Sequence, residues 1–162
     1  MPLRRMVGGR SGAVYSFVRP NNREPAKDFL ENLQKDVSNK FRGSFDFFTK
    51  MGAEYEIHSR FKPLHNEGKP LWEFKEHAHH FYAVREVFTL TDRTGQDRKI
   101  AVVVLLDGWK KEKGGKGKKE ERDRIGGALN LYNEYRSAGM RKSDGTDEPL
   151  GTALERKERL RH

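Results

Sequence analysis

The sequence predicts an α+β domain: a small antiparallel sheet of about four strands, a helical hairpin near the N-terminus packed on it, and a C-terminal helix. Three observations carry that expectation. Ile100 to Leu106 is a run of seven consecutive apolar residues, four of them β-branched. Such a run suits a strand buried on both faces; periodicity does not separate it from a buried helix, and its β-branched content favours the strand. Second, Phe41, Phe45, Phe48 and Met51 recur every three or four residues, as one face of a helix does. Third, Leu71-Trp72-Glu73-Phe74-Lys75 alternates, with Trp72 and Phe74 on one face and Glu73 and Lys75 on the other.

In chain order, residues 1–12 carry three arginines and three glycines without periodicity and read as a loose leader. Ala13 to Val18 alternates enough for a first strand, closed by the turn Arg19-Pro20-Asn21-Asn22. Pro25 in a first turn, Glu24 at the positive end of the dipole, and Phe29, Leu30, Leu33 and Val37 at helical spacing predict a helix. Ser38-Asn39 can cap a second. Those phenylalanines read as core. Phe61-Lys62-Pro63-Leu64 leads through the polar turn His65 to Pro70 into the alternating strand. His77-Ala78-His79-His80 reads as a hairpin tip, Phe81 to Thr91 as the returning strand, and Thr91 to Asp97 as a loop. Lys99 to Trp109 completes a three-stranded meander, and Ile125 to Tyr135 is approximately helical. Residues 13–136 are then one domain. Residues 137–162, densely charged with only Leu150, Leu154 and Leu160 as aliphatic anchors, read as a flexible tail that is disordered or folds on a partner.

Composition narrows the function. The chain of 162 residues is 34% hydrophobic and 35% charged, with a formal net charge of +9. That balance favours an anionic partner, nucleic acid foremost, over a neutral metabolite. The absence of cysteine excludes disulfides, thiol catalysis and cysteine-ligated zinc. No apolar stretch approaches the roughly 18 residues of a membrane span, and no signal-peptide core is visible, so no membrane partner and a cytoplasmic location are expected. Just past Leu106 the chain becomes its most cationic, with Trp109, Lys110, Lys111, Lys113, Lys116, Lys118 and Lys119 among glycines. A buried strand delivering an aromatic ring and lysines to one sheet edge predicts a polyanion site.

The order strand, helix, helix, three strands, helix, with Phe61-Lys62-x-Leu64, Leu71-Trp72-Glu73-Phe74-Lys75 and Val104-Leu105-Leu106-Asp107-Gly108-Trp109-Lys110-Lys111, then a lysine-rich turn and a helix with Ile125 and Ala128, resembles the RelE/ParE superfamily of toxin–antitoxin toxins, in particular its phage-derived, HigB-like branch. The resemblance spans residues 13–136. It implies a RelE-like fold and a ribosome-dependent endoribonuclease that cuts messenger RNA without metal or cofactor. It also implies partners: the ribosome with its messenger RNA, a cognate helix-turn-helix antitoxin, and operator DNA only through that antitoxin.

Metal-independent cleavage needs a deprotonated 2′-hydroxyl, stabilisation of charge growing on phosphate, and protonation of the leaving oxygen; a cationic cluster supplies the second and can tune a lysine for the others. Lys75 stands where the branch carries arginine after its Glu-Leu pair, and Arg85 is the candidate transition-state arginine, although Tyr82-Ala83-Val84-Arg85 spaces it two residues beyond the family's aromatic-arginine pair. Glu73 is a candidate base, or the salt-bridge partner of Lys75 or Arg85. Lys110 and Lys111 match the family's Lys-Lys run, one toward substrate as a catalytic cation and one toward solvent, with Lys62 of the same kind. Trp109 offers a ring for a base, and Lys113, Lys116, Lys118 and Lys119 form an electrostatic arm. His77 and His79, on one face of a strand, could ligate metal, but no carboxylate is arranged to complete a site. Otherwise the three histidines supply a general acid or a solvated tip. Two further readings stand beside the nuclease: a ParE-like non-catalytic inhibitor of DNA gyrase, and a non-catalytic RNA-binding phage accessory protein.

Overall fold

The computed structural model describes residues 2–57, 59–112 and 117–162. Its elements are β1 (Leu3–Gly8), β2 (Gly12–Phe17), α1 (Pro25–Glu31), α2 (Lys35–Met51), β3 (Phe61–Pro63), β4 (Trp72–Glu76), β5 (His79–Thr91), β6 (Asp97–Lys110), α3 (Gly117–Ser137), β7 (Gly139–Arg141), β8 (Asp147–Pro149) and α4 (Leu150–Arg161). Six strands form one sheet in the order β1-β2-β6-β5-β4-β3, and β7 with β8 forms a separate two-stranded ribbon.

The apolar run is the spine of that sheet. Ile100 through Leu106 are all 0% exposed. Ile100, Val102, Val104 and Leu106 face a core built with α3 and α4, while Ala101, Val103 and Leu105 face the core built with α1 and α2. A strand covered on both sides has no polar face to alternate, so seven apolar residues in a row are what its position demands. β6 pairs antiparallel with β5 and parallel with β2. The parallel pairing is available because the long connection through α1 and α2 lets the chain return in the same direction. Gly108 lets Phe29 lie against the strand, since a Cβ there would fall 2.2 Å from the Phe29 ring.

On the α1/α2 side the core is aromatic. Phe41, Phe45 and Phe48 descend from α2 onto Phe61, Phe74 and Phe81 of three adjacent strands. Phe41–Phe81 and Phe45–Phe74 meet edge to face at 4.8 and 4.9 Å between centroids, a geometry worth roughly 0.5–1.5 kcal/mol per pair beyond area burial.

The α+β class stands, but the architecture expected from sequence does not. The sheet has six strands and is mixed, not four and antiparallel, and the helical pair follows two strands and does not lead the domain. β1 is the first reason. Residues expected as a loose leader pair with β2 through Gly8–Gly12, and as an edge strand β1 tolerates Arg4 and Arg5 on its margin. β3 is the second, an edge strand of only three residues. The residues expected as a tail form β7, β8 and α4, and α4 buries Leu150, Ala153, Leu154 and Glu158 along one face. A glutamate in a core position broke the apolar spacing that would have revealed the helix. The boundary between α1 and α2 falls at residues 32–34, so Ser38 and Asn39 lie inside α2 and cap nothing. The β4–β5 turn is tighter than expected: only His77 and Ala78 form it, with His77 at φ 54, and His79 and His80 belong to β5.

Candidate functional site

Tight pairing across β3, β4, β5 and β6 lines polar residues up in two rows on the sheet face covered by α3. One row runs Lys62, Glu73, Tyr82, Asp107; the next runs Lys75, His80, Trp109. The alternation follows from the pleat, and a bulge on β6 beside Tyr82 and Ala83 keeps Trp109 on this face after Asp107.

At the centre is a histidine–carboxylate pair. Glu73 is 4% exposed and His80 6%, and the His80 Nδ1 lies 3.2 Å from Glu73 Oε2. The separation is that of an ion pair, but the directions are off line: among the described residues neither ring nitrogen of His80 completes a hydrogen bond. The imidazole is stacked on Trp109 at 5.0 Å and 17°. Trp109 in turn donates its Nε1–H to the Tyr82 hydroxyl at 3.0 Å, and the Arg124 guanidinium of α3 lies 5.9 Å from the centroid of the indole. Burial pushes the Tyr82 hydroxyl well above the usual tyrosine range, with the nearby Glu73 and Glu121 charges adding to it, so it stays protonated. Burial also raises the Asp107 carboxyl, against the opposing hydrogen bond from the Gly108 N–H. A carboxylate beside one imidazole nitrogen can orient the ring so that the other nitrogen faces a substrate proton, and flanking ammonium groups offset charge on a phosphate. Lys62 and Lys75, both half-buried, are the flanking groups.

The structure thus brings Glu73, Lys75, Lys62 and Trp109 together and separates them from Arg85 and Lys110. Arg85 projects from the opposite face of β5. It donates from Nη2 to the Ala53 carbonyl at 2.7 Å, and its Cζ sits 4.5 Å from the Trp72 ring centroid. Burial lowers its pKa from the ordinary guanidinium value, the Glu56 charge opposing that shift. It ties β5 to the segment after α2. Lys110 pairs in register with His79, and both alternate away from Trp109. Trp109, expected to offer its ring to a base, is 3% exposed with one side taken by His80. Lys111, Lys118 and Lys119 are exposed near the start of α3; Lys113 and Lys116 lie outside the described residues. His77 is exposed at the turn, and His79 packs toward Phe29 at 6.4 Å on the face opposite His80, so the histidines diverge. Among the described residues no three His, Asp or Glu side chains converge as a metal site requires.

Sequence reasoning placed His80 in the hairpin tip, as a general acid or a solvated group, and left Tyr82 and Asp107 out. The signal was present in the tightness of the turn. If only His77 and Ala78 bridge the strands, Lys75 must face His80 and Glu73 must face Tyr82.

Fold and site together define a mixed-sheet α+β protein with a buried histidine–carboxylate pair under a cationic rim. Comparison of the chain with protein-family models, curated proteins and solved structures finds no match. No described helix is long and apolar enough to cross a membrane.

Proposed function

We propose that this chain is a metal-independent endoribonuclease of the toxin type its sequence resembles, cutting messenger RNA on the ribosome and held in check by a helix-turn-helix antitoxin. The observation that carries the reading is the Glu73–His80 pair, 3.2 Å apart and clamped by Trp109, with Lys75 opposite His80 in the register. In this reading Glu73 orients the imidazole and His80 takes the 2′-hydroxyl proton as the 2′-oxygen bonds to phosphorus; the P–O5′ bond breaks with solvent protonating the leaving 5′-oxygen, and Lys75 with Lys62 offsets the charge developing on the phosphate. Cleavage needs RNA to reach His80, so the first turns of α3 swing away from Trp109 before the chemistry. The net charge of +9 supports a polyanionic substrate.

The test is purified protein in a translating extract, with ribosome-bound messenger mapped for new 5′ ends. Wild-type protein should cut it and His80→Ala should not. Intact messenger with folded wild-type protein refutes the reading. The low exposure of His80 and Trp109 favours one competing reading, a non-catalytic RNA-binding protein. That alternative predicts retained RNA and no new ends in the same extract.

A further inference from the structure

We propose that an open depression between α2 and the end of β4 binds one nucleotide of a single-stranded RNA, the base on Phe47 and the phosphate on Lys40 and Arg60. This subsite rests on the reading of the chain as an RNA-binding protein and is independent of cleavage. The depression has a volume of about 780 Å³, within the range of pockets that hold small ligands. One wall is a single stripe of α2: Lys40, Gly43, Ser44 and Phe47, which at i, i+3, i+4 and i+7 share a face.

Two members of that stripe, Phe47 and Gly43, have features that core packing leaves unexplained. Phe47 is 47% exposed while its neighbours Phe45 and Phe48 are buried. Its ring meets Tyr55 in a T-shaped contact at 5.6 Å and 69°, which anchors it while nearly half of the residue stays open to solvent. The Ser44 and Tyr55 hydroxyls are 2.9 Å apart at the floor, a ready pair of donors and acceptors. Gly43 sits in the middle of the 17-residue α2, where glycine weakens a helix relative to alanine. Yet a Cβ there would meet nothing within 4 Å, and its φ is not in the left-handed region. What a residue without a long side chain leaves here is a flat surface between Lys40 and Phe47 on which a planar base can lie.

Charge supplies the other half. The Lys40 ammonium donates to His77 Nε2 at 3.3 Å, which holds it at the rim. Arg60 is 61% exposed at its side chain and only 3.9 Å from the nearest oxygen of Glu76, the one carboxylate among the lining residues. Lys75 also borders the space. Three cations against one carboxylate, beside an exposed aromatic face, is the combination that holds single-stranded nucleic acid: backbone by charge, base by stacking.

Anisotropy of a short fluorescein-labelled single-stranded RNA, titrated with the full chain, tests this. Phe47→Ala should weaken binding by ~5- to ~150-fold, the cost of one lost base stack. Gly43→Leu, which fills the depression, should cause a comparable loss, while Gly43→Ala keeps affinity. Removing Lys40 and Arg60 together should flatten the salt slope by about 0.7 per lost phosphate contact. If wild-type protein binds the RNA and the folded Gly43→Leu and Phe47→Ala proteins bind it equally well, the subsite is wrong and the RNA-binding reading survives. If wild-type protein binds no RNA, or prefers a poly-glutamate peptide, both are wrong.

Discussion

Replacing Gly126 and Gly127 of α3 by alanine should stabilise the protein and slow RNA cleavage by linked amounts. Both glycines are exposed inside the 21-residue helix, and an added Cβ meets nothing within 4 Å at either position. Alanine at an exposed helix interior gains about 0.5–1 kcal/mol over glycine, so the pair gains about 1–2 kcal/mol. For a chain of this size that raises Tm by about 2–8 °C. The functional half follows from what lies N-terminal to the glycines. Arg124 covers Trp109, and Ile125 packs on the same core, so the turns before Gly126 roof the His80–Glu73 pair. If RNA reaches His80 only when those turns unwind at the glycine pair, stiffening the helix reduces the open population. At about 1.4 kcal/mol per tenfold, cleavage falls about 5- to 30-fold. Thermal unfolding and the translating-extract assay, run on the same preparations, give both numbers. A raised Tm with undiminished cleavage refutes the gating by α3, and a lowered Tm refutes the assignment of Gly126 and Gly127 to an unstrained, solvent-facing stretch.

Three further outcomes are expected. His80→Ala should keep the fold and lower cleavage by about 10²- to 10⁴-fold, with Glu73→Gln following in the same direction; wild-type rates in folded His80→Ala would remove the histidine from the chemistry. Arg85→Ala should lose the Ala53 carbonyl tie and the stack on Trp72, about 1–2 kcal/mol of stability, without changing the cleavage rate; the reverse pattern in melting and extract assays would reinstate Arg85 at the active site. Tyr15 is 2% exposed and donates to Glu158 at 2.7 Å, and burial first, then that bond, pushes its hydroxyl up to about 12. Its ionisation is thus disfavoured in the folded state. The associated stability, about 2.7 kcal/mol by a two-unit displacement, is present below pH 10 and lost as pH rises from 10 through 12. Denaturant titrations of wild type and Tyr15→Phe should therefore converge across that window, and a constant gap between them would refute the assignment.

What was legible in the sequence was local. The apolar run of β6 states its own burial, because a strand with sheet neighbours and helices on both faces cannot carry polar residues. The phenylalanine spacing of α2 and the alternation of β4 likewise state which face goes inward. Pairing over long separations is not written this way. Nothing in Leu3–Gly8 announces that it will extend the sheet beyond β2, since an edge strand needs neither an apolar face nor length. α4 was hidden by chemistry: Leu160, counted as an anchor, is 80% exposed, while the inward position is taken by Glu158 at 0%. That carboxylate is tolerable only because Tyr15 donates to it and Arg5 and His162 lie within 3.6 Å; Tyr15 and Arg5 are 143 and 153 residues away, beyond any window of sequence. The site failed for a related reason. Arg85 and Lys75 are the expected residue types on adjacent strands, but the pleat sends them to opposite faces.

The residue common to both proposed RNA contacts is Lys75. It pairs with His80 in the β4–β5 register and also borders the depression beside Arg60 and Phe47. It can do both because β3 begins only at Phe61, opposite Phe74, and leaves just the Arg60 carbonyl beside the Lys75 N–H, at 2.8 Å, so the sheet margin opens there. In the proposed reading the RNA strand runs from Phe47 over that margin toward the roof formed by α3. Lys75→Ala should then weaken RNA binding and slow cleavage in one variant, whereas Phe47→Ala weakens binding and leaves the rate at saturating RNA unchanged. The split between affinity and saturated rate is the measurement that separates a path along this margin from two unrelated basic patches: if Lys75→Ala moves only one of the two quantities, the path is wrong.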